Sequence, residues 1–366
     1  MTNFEQFINS KPMSYTKINL KRMPKAFKSI KSKFNIPKII HIVGTNGKGT
    51  TGRFIADILK KNGCKVGHYT SPHISKINER FWKDGKLISD KDLDKAYKNL
   101  NSFLPKKFQK SLSYFEYTTL MNLSIYEDCH WLVLEAGLGG EFDATNVFPK
   151  KLSVFTPIGF DHQSFLGDTL EEIASTKFRS VGKVAVIAQQ KYDEVYNILD
   201  KIAKERGSII YRTSPKSGIS FLQENFNTAK KSANLLGFLN IDFDISEFKT
   251  AIGRFEKVAK NITIDVGHNS LSAERVVQNM RKPFTLIYNS LDDKPYRAIL
   301  KIFRPKISKV EILEIKDGRA LKKEVLEKTL KDLDIPYKYF KKTSKKKEYL
   351  VFGSFKVVEE FLKRDN

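Results

Sequence analysis

The sequence predicts an α/β protein of two domains, each built on a mainly parallel sheet. Short apolar, β-branched runs alternate with segments of helical period along the first two thirds of the chain. A glycine-rich turn follows the first of these runs, as in domains that bind phosphate groups. The alternation restarts after Gly253 and continues to the end of a 366-residue chain, which is long enough for two domains.

The first domain is predicted to contain five strands, because five short runs are apolar enough to be buried on both faces. They lie at residues 38–43, 65–69, 131–134, 152–156 and 184–188. Segments of helical period separate them, at residues 51–61, 117–126, 169–177 and 192–205. Strands that alternate with helices in this way form a parallel sheet.

The second domain is predicted to be a smaller doubly wound unit. Its strands are expected at residues 262–266, 284–288, 310–315 and 349–352. Its helices are expected at residues 271–280, 296–303, 321–333 and 356–364. We therefore predict domains at residues 1–255 and 260–366, with a hinge near residues 253–260.

Composition limits the class of protein. The net charge is +24, from 65 basic and 41 acidic residues, which indicates either attraction to polyanions or a lysine-rich but solvated surface. No run approaches the roughly 18 apolar residues of a membrane span, and the N-terminus has no apolar signal-peptide core. Cys64 and Cys129 have no metal-binding spacing, so we expect free thiols in a reducing cytoplasm.

The glycine-rich turn reads Gly-Thr-Asn-Gly-Lys-Gly-Thr at residues 44–50. Glycines let backbone N–H groups approach phosphate oxygens, and the helix that follows adds its positive end. Lys48 is placed to reach the terminal phosphates of a nucleotide. The alternative is a plain turn between strand and helix, but the apolar run before it and the helical segment after it favour a phosphate loop.

This loop resembles that of the Mur ligase superfamily, and the chain beyond it resembles the folylpolyglutamate synthase/dihydrofolate synthase family. The most distinctive match is Leu-Glu-Ala-Gly-Leu-Gly-Gly at residues 134–140, followed by Asp-Ala-Thr-Asn at residues 143–146. Other matching segments follow in the family's order, at residues 70–73, 79–80, 115–119, 159–162, 166–174, 253–256, 265–269, 293–294 and 353–354.

The resemblance implies a Mur-ligase-type P-loop domain that binds ATP and a folate, followed by a Rossmann-like C-terminal domain. The implied reaction joins L-glutamate to dihydropteroate, to a reduced folate, or to both, through an acyl phosphate. It also implies ATP, two Mg²⁺ ions and small-molecule substrates. We expect a cytoplasmic monomer that binds neither nucleic acid nor membrane.

The resemblance also assigns ATP contacts. Asn225 would contact the adenine, with Asn227 as the alternative because the spacing from Gln223 differs from the family's. Arg254 would bind phosphate, unless it forms a salt bridge between the domains, and Asp265 would bind the ribose. The full implied set is Gly44, Thr45, Asn46, Gly47, Lys48, Gly49, Thr50, Asn225, Arg254, Asp265 and His268.

Glu135 follows an apolar run and therefore lies at the sheet edge where open α/β proteins bind ligands. By resemblance Glu135, Ser71 and His162 would hold magnesium, with Thr50 as a further contact. The alternatives are a salt-bridged or helix-capping carboxylate for Glu135 and a structural imidazole for His162. The catalytic set implied by the resemblance is Lys48, Lys177 and His162.

Lys177 stands where the family carries a carbamylated lysine, which presents an anionic oxygen to magnesium. The surrounding Ser-Thr-Lys-Phe-Arg-Ser at residues 175–180 keeps the lysine but lacks the family's neighbouring glutamate, alanine and glycine. The alternative is an ordinary surface lysine. A degenerate protein that binds ATP without catalysing a reaction is therefore a further alternative.

Substrate contacts implied by the resemblance fall in two segments, one after residue 112 and one after the paired glycines. Glu141 stands where many relatives have arginine, so the preferred folate stays open. A peptidoglycan Mur ligase and a nucleotide-dependent RNA-binding protein are the competing functions, the latter without a recognisable RNA-binding motif. The implied substrate residues are Ser113, Tyr114, Phe115, Glu116, Phe142, Asp143 and Ala144.

Overall fold

A computed structural model describes residues 2–12, 19–214, 220–280 and 283–364 of the chain. Its Cα positions separate into two units. Unit 1 comprises Met1–Ser217 and Gln223–Phe248, and unit 2 comprises Gly218–Leu222 and Lys249–Asn366. Each unit combines helices with a mainly parallel sheet, which confirms the α/β class predicted from the sequence.

The sheet of unit 1 has eight strands in its described part. These are β1 to β8, at Lys38–Val43, Val66–Tyr69, Phe81–Lys83, Lys86–Leu87, Trp131–Glu135, Lys150–Phe155, Val184–Ile187 and Ile209–Arg212. Their order across the sheet is β4-β3-β2-β5-β1-β6-β7-β8. The β2–β3 and β3–β4 pairings are antiparallel, and the other pairings are parallel. The central strand β1 therefore delivers the glycine-rich loop to the middle of the carboxyl edge.

Helices cover both faces of this sheet. They are α1 to α10, at Asn3–Asn9, Arg22–Ile30, Lys48–Lys61, Asp90–Phe103, Lys106–Ser111, Tyr114–Ile125, Gln163–Leu166, Leu170–Phe178, Glu194–Arg206 and Phe221–Leu235. Successive residues of a strand point to opposite faces. Ile39 of β1 accordingly packs into the core under α2, α4 and α6, whereas Ile40 and Ile42 pack into the core that includes α3 and α10.

Unit 2 has a six-stranded sheet in its described part. Its strands β9 to β14 lie at Glu256–Ala259, Ile262–Asp265, Phe284–Tyr288, Ile307–Ile312, Tyr337–Tyr339 and Tyr349–Phe352. The order is β13-β12-β11-β14-β10-β9, and only the β9–β10 pairing is antiparallel. Helices α11 to α14 lie at Ser270–Asn279, Tyr296–Phe303, Lys323–Asp332 and Phe355–Arg364.

The structure differs from the sequence prediction in a few elements. The segment predicted as a hinge, residues 253–260, contains β9, which pairs with β10. The helix predicted to begin at residue 51 begins at Lys48, so the last residues of the glycine-rich loop form its first turn. Among the described residues, no helix is long and apolar enough to cross a membrane. Cys64 and Cys129 are free thiols, as the sequence predicts.

Candidate active site

The loop at residues 44–50 is held against the segment that follows β6. The backbone N–H groups of Thr45 and Asn46 both donate to the carbonyl oxygen of Pro157, at 3.0 and 3.1 Å. The Thr45 hydroxyl also donates to the carbonyl oxygen of Gly159, at 3.0 Å. Thr45 and Asn46 therefore anchor the loop with their amides, and the N–H groups that face a phosphate must come from later in the loop.

Those later N–H groups belong to the first turn of α3. The first backbone amides of a helix have no partner within the helix, and they carry its positive end. Thr51 is the residue whose N–H closes the first turn, with a 2.8 Å bond to the Gly47 carbonyl. The amides of Lys48, Gly49 and Thr50 precede this bond. They form an anion-binding helix end of the kind that holds phosphates.

Gly47 permits a sharp bend immediately before this helix. Its φ of +83° lies in the left-handed region, which side chains disfavour. A Cβ atom at Gly47 would lie 2.8 Å from Oδ1 of Asn225 on α10. The Asn225 side chain is 2% exposed, and within the described residues its Nδ2 has no hydrogen-bond partner. The structure thus places Asn225 against the loop, with a buried Nδ2 donor that can still form a hydrogen bond.

The alternative residue, Asn227, is otherwise engaged. Its side-chain oxygen accepts a 3.0 Å hydrogen bond from Nε2 of Gln223, one helical turn earlier. Asn225 is therefore the better candidate for a contact to a base, because an amide left unpaired in a buried position can gain hydrogen bonds from a ligand.

Two lysine side chains converge on the same carbonyl of the loop. Nζ of Lys48 lies 3.1 Å from the Gly44 oxygen and 3.3 Å from the Thr45 oxygen. Nζ of Lys177, near the end of α8, lies 3.2 Å from the same Gly44 oxygen. The Lys48 ammonium at the positive end of α3 therefore suits a polyphosphate, and the Lys177 amine lies beside it.

Lys177 is a buried lysine. It is 4% exposed, so the alternative of an ordinary surface lysine is wrong. Burial and the neighbouring Lys48 ammonium lower the pKa of Lys177 to about 7, against the opposing influence of Asp161 and Asp143. A large fraction of this amine is therefore neutral near pH 7, which is the form that reacts with carbon dioxide or another electrophile.

Oxygen ligands lie at the carboxyl ends of β2 and β5, which are neighbours in the sheet. Glu135 ends β5, is 1% exposed, and accepts a short hydrogen bond from the Thr70 hydroxyl. Ser71 follows Thr70 directly. Among the described residues, no lysine or arginine forms an ion pair with Glu135. A buried carboxylate without a cationic partner fits a divalent cation, and carboxylate and hydroxyl oxygens suit Mg²⁺.

His162 follows β6, which lies two strands from β5 in the sheet. Neighbouring strands are about 4.8 Å apart, so the ends of β5 and β6 are separated by roughly 10 Å. The φ of His162 is +53°, and its backbone N–H donates to Asp161. Its side chain is 41% exposed, so it is not the buried structural histidine that was the alternative.

The predicted substrate segment around residue 143 is organised by one carboxylate. Oδ2 of Asp143 accepts from the N–H groups of Gly137 and Leu138, at 3.0 and 2.8 Å. Its Oδ1 accepts from the amide and the hydroxyl of Thr145, at 2.9 and 2.5 Å. Burial raises the pKa of Asp143, although these hydrogen bonds oppose the shift. Asp143 thus shapes the loop with all four contacts and presents its backbone to a ligand.

The other predicted substrate segment begins α6. The hydroxyl of Ser113 accepts from the Glu116 N–H, and Glu116 accepts from the Ser113 N–H, so both side chains form a capping box. Glu116 also binds Arg22 of α2, with Nη2 to Oε2 at 2.6 Å. Tyr114 is 6% exposed beneath the Arg80 guanidinium, and Phe115 packs against Gly137. Ser113 and Tyr114 are therefore structural here, whereas Glu116 reaches a cavity.

That cavity has a volume of about 450 Å³ and lies between α2 and the loop at residues 141–147. Glu116, Phe142, Asp143 and Ala144 line it, which gathers four of the seven predicted substrate residues. Phe142 is 59% exposed, as expected of an aromatic ring that can cover a flat ligand. The rest of its apolar lining comes from Val147 and, in and just before α2, from Leu20, Met23, Pro24 and Phe27.

Sequence reasoning did not assign Arg22, α2 or Thr70 to the site. The apolar spacing of Met23, Phe27 and Ile30 predicts an amphipathic helix but not the cavity beside it. Arg22 is one of 65 basic residues, and only the fold shows that it pairs with Glu116. Thr70 could have been found, since it precedes Ser71 in a segment that resembles the family.

The remaining predicted ATP contacts belong to unit 2. Asp265 ends β10 and accepts from the N–H groups of Phe255 and Gly267, at 2.8 and 2.7 Å. Burial raises the pKa of Asp265, and Arg254 opposes that shift. The Arg254 guanidinium lies 4.9 Å above the ring of Phe355. Nδ1 of His268 is 3.1 Å from the Val266 oxygen. Unit 2 thus gathers all three predicted residues around the carboxyl end of β10.

Known proteins match this chain over most of its length. The family described as Mur ligase middle domain matches residues 42–263, more than half of the chain. The dihydrofolate synthase/folylpolyglutamate synthase of Buchnera aphidicola from Schizaphis graminum is 31% identical over 87% of this chain and 86% of its own. The chain belongs to the dihydrofolate synthase/folylpolyglutamate synthase family of Mur ligases.

Solved structures of the dihydrofolate synthase/folylpolyglutamate synthase family share the fold. The folylpolyglutamate synthetase of Helicobacter pylori is 38% identical, with a TM-score of 0.79 over 98% of this chain and 97% of that one. FolC of E. coli, in complex with DHPP and ADP, is 23% identical with a TM-score of 0.83, over 98% and 95% of the two chains. The latter likeness concerns the fold alone.

Proposed function

We propose that this protein is an ATP-dependent ligase that joins L-glutamate to dihydropteroate and to reduced folates. The observation that carries the proposal is the placement of the Lys48 ammonium at the amino end of α3, 3.1 Å from the Gly44 carbonyl oxygen. Such a spot holds the phosphates of ATP while a substrate carboxylate attacks the γ-phosphoryl group. Glutamate's amine then attacks the acyl phosphate, which gives an amide and inorganic phosphate.

The protein contributes position and charge to this reaction. The amides of Lys48, Gly49 and Thr50 hold phosphate oxygens, and the Lys48 ammonium offsets charge that develops on the transferred group. Asn225 binds the adenine through its unpaired Nδ2. Resemblance to the family assigns Arg254 and His268 to phosphate and Asp265 to the ribose, and the grouping of these residues in unit 2 supports the assignment.

Glu135, Ser71 and His162 would hold Mg²⁺, with Thr50 nearby in the loop. Bound Mg²⁺ would offset the negative charge of the β- and γ-phosphates. The fit rests on Glu135, a buried carboxylate that no lysine or arginine of the described residues neutralises. We further propose that carbamylation of Lys177 supplies an additional anionic oxygen at this edge.

The cavity between α2 and the loop at residues 141–147 would bind the pterin ring. Its apolar lining and the exposed Phe142 suit a flat heteroaromatic ring, and the Glu116 carboxylate can accept from ring N–H groups. Arg22 holds that carboxylate in place. We propose that the protein acts as a monomer in the cytoplasm, where ATP and glutamate are available and the Cys64 and Cys129 thiols stay reduced.

The test measures glutamate-dependent release of ADP with dihydropteroate and, separately, with tetrahydrofolate, together with the mass of the products. Lys48→Ala and Glu135→Ala should each lower turnover by at least about a hundredfold, because each removes charge stabilisation at the phosphates. Lys60→Ala, an exposed lysine on the same helix, is the control. Turnover within about threefold of wild type in either site variant would remove that residue from the mechanism.

The same assay separates the competing functions. ADP release with a peptidoglycan precursor instead of a folate would make the protein a different Mur ligase. Binding of ATP without turnover on any of these acids would make it a non-catalytic nucleotide-binding protein.

A further inference from the structure

A basic cavity lies at the amino ends of the strands of unit 2. Its volume is about 650 Å³. Its lining comes from residues that precede or begin β10, β11, β12 and β14. Asp265 ends β10 at the opposite edge. Because these strands rise about 3.3 Å per residue over four to six residues, roughly 10–20 Å separates the two edges. The cavity is therefore distinct from the candidate nucleotide contacts of unit 2.

Lysines dominate the lining. Lys309 enters from β12, and Lys345, Lys346 and Lys347 enter from the segment before β14. Glu348 is the acidic residue of the lining. Within the described residues, none of the three consecutive lysines forms a salt bridge. The excess of positive charge is thus not neutralised by the fold of unit 2 itself.

Two of these ammonium groups, those of Lys309 and Lys347, line the same cavity and repel each other. Partial burial, followed by the positive charges of Lys347 and Lys338, lowers the pKa of Lys309. The carboxylate of Glu311 is fully buried and is shared, 3.2 Å from Lys338 and 3.8 Å from Lys309. Glu311 is thus shared between Lys309 and Lys338, and no carboxylate of the described residues forms an ion pair with Lys347. An anion placed between Lys309 and Lys347 would therefore reduce the repulsion between their ammonium groups.

The lysine segment is held in place by neutral groups. Nδ2 of Asn261 donates to the carbonyl oxygens of Ser344 and Lys347, at 2.9 and 2.6 Å. The hydroxyls of Thr285 and Ser308 lie 3.4 Å apart in the same lining, and Thr285 is 2% exposed. The Ser308 hydroxyl donates to the carbonyl oxygen of Phe284 at 3.2 Å, so the hydroxyls fix the backbone and the lysines supply the contacts to an anion.

We propose that this cavity binds the carboxylates of an oligo-γ-glutamyl chain. The inference rests on the proposed function, because each ligation adds one negative charge to the product. Attraction to a cluster of lysines then grows with chain length. Among the described residues, neither an aromatic ring nor an arginine lines the cavity, so this part of the chain supplies none of the stacking surfaces by which proteins hold single-stranded nucleic acid.

The test is equilibrium binding of a fluorescein-labelled penta-γ-glutamate, followed by anisotropy, with labelled monoglutamate as the comparison. Wild type should bind the pentamer at least about tenfold more tightly. The double variant Lys309→Gln/Lys347→Gln should lose that preference. The matched control is Lys341→Gln/Lys342→Gln, which removes two charges from exposed positions of the same chain segment outside the lining.

Three results would overturn the inference: equal affinity for pentamer and monomer, an equal loss in the control variant, or tighter binding of single-stranded RNA through Lys309 and Lys347. Circular dichroism checks that each variant is folded. Glutamate ligation onto tetrahydrofolate, measured on the same preparations, tests the proposed function separately because binding of the labelled chain needs no turnover.

Discussion

The pKa of Lys177 is about 7 because burial and the Lys48 ammonium both disfavour its charged form. An ordinary lysine is neutral only above about pH 10. A neutral amine can add carbon dioxide and become a carbamate, which replaces a cation by an anionic oxygen group. The altered neighbours, Phe178 and Arg179, do not prevent burial of the amine: Phe178 packs in the core and Arg179 pairs with Glu141 at 3.4 Å.

We expect Lys177→Ala to lose glutamate ligation by at least about a hundredfold and to regain part of it when acetate or another short carboxylic acid is added. The added carboxylate would occupy the space of the missing carbamate. Lys183→Ala, an exposed lysine shortly after α8, should keep wild-type activity. Full activity of Lys177→Ala without added acid would show that no carbamate is used.

Lys177 also makes stability depend on pH. Its pKa is lowered from 10.5 to about 7 in the folded state, so between these values the unfolded chain holds more protons than the folded one. The free energy of unfolding contributed by this group therefore increases as pH rises from 7 towards 10. Urea unfolding of wild type in carbon-dioxide-free buffer should show a larger gain from pH 7 to pH 9 than Lys177→Met. Parallel pH profiles for the two proteins would contradict this assignment.

His41 of β1 is a second residue whose role depends on its neighbours. The imidazole is fully buried, and burial together with Lys150 keeps its pKa well below the ordinary value. Its Nε2 lies 2.7 Å from the Thr145 hydroxyl, which itself donates to Asp143. The hydroxyl can accept only from a protonated Nε2, so His41 is a neutral donor that supports the loop around Asp143.

We expect His41→Leu to raise the KM for the folate about five- to tenfold while the KM for ATP changes little, since the loop around Asp143 lines the cavity proposed for the pterin and is not part of the phosphate loop. The control is His68→Leu, which removes another fully buried imidazole, on β2, that bonds Arg53 instead of this loop. If both substitutions changed both KM values equally, His41 would contribute only to packing of the core.

Among the elements, the loop after β5 depends on close contact with α8. A Cβ atom at Gly140 would lie 2.6 Å from the backbone oxygen of Lys177 and 2.9 Å from its Cα. Backbone atoms cannot move aside as a side chain can, so a larger residue must push the loop away from the helix. The same contact sets the distance between Lys177 and the cavity proposed for the pterin.

Gly140→Ala should therefore lower kcat at least about tenfold and reduce the melting temperature by several degrees. Gly182→Ala is a matched control, because the nearest atom to a Cβ there is the Ser153 hydroxyl at 3.4 Å. Wild-type kcat in Gly140→Ala would mean that the loop can shift without consequence.

Sequence patterns located most elements, and the failures have physical causes. Apolar runs placed β1, β11 and β14 within their observed bounds, since buried parallel strands are apolar throughout. Strands β3, β4, β8 and β13 lie outside the predicted runs because each has at most four residues, and all of them except β3 include exposed residues. Strand β9 lies in the segment predicted as a hinge, because its Glu-Lys-Val-Ala sequence lacks the apolar run that indicates a buried strand.

Those parts of the candidate site that lie in one continuous segment could be predicted from the sequence. The phosphate loop is one continuous segment, so its glycines and Lys48 could be found directly. Lys177 required alignment with a family, since a lysine's burial cannot be read from a single residue. The pairing of Arg22 with Glu116 and the contact of His41 with Thr145 join residues far apart in the chain, and only the fold shows them.

At the scale of the whole molecule, the net charge of +24 should accelerate capture of anionic substrates. We expect kcat/KM for the folate substrate to fall severalfold as NaCl is raised from about 0.05 to 0.5 M, because the Debye length shortens. The kcat value should change much less, since bound substrates are shielded from the solvent ions. A kcat/KM that is independent of salt would mean that the basic residues serve solubility alone.

Gly47 and Asn225 lie 178 positions apart in the numbering, yet the space for one is filled by the other. Any variant that replaces Gly47 must also carry a shorter or displaced side chain at position 225. Replacing Asn225 by a smaller residue instead leaves the space beside Gly47 empty. The two positions are therefore sterically coupled. A design that transfers this phosphate loop to another scaffold must therefore include the start of α10. Without it, the loop would pack against a residue other than Asn225.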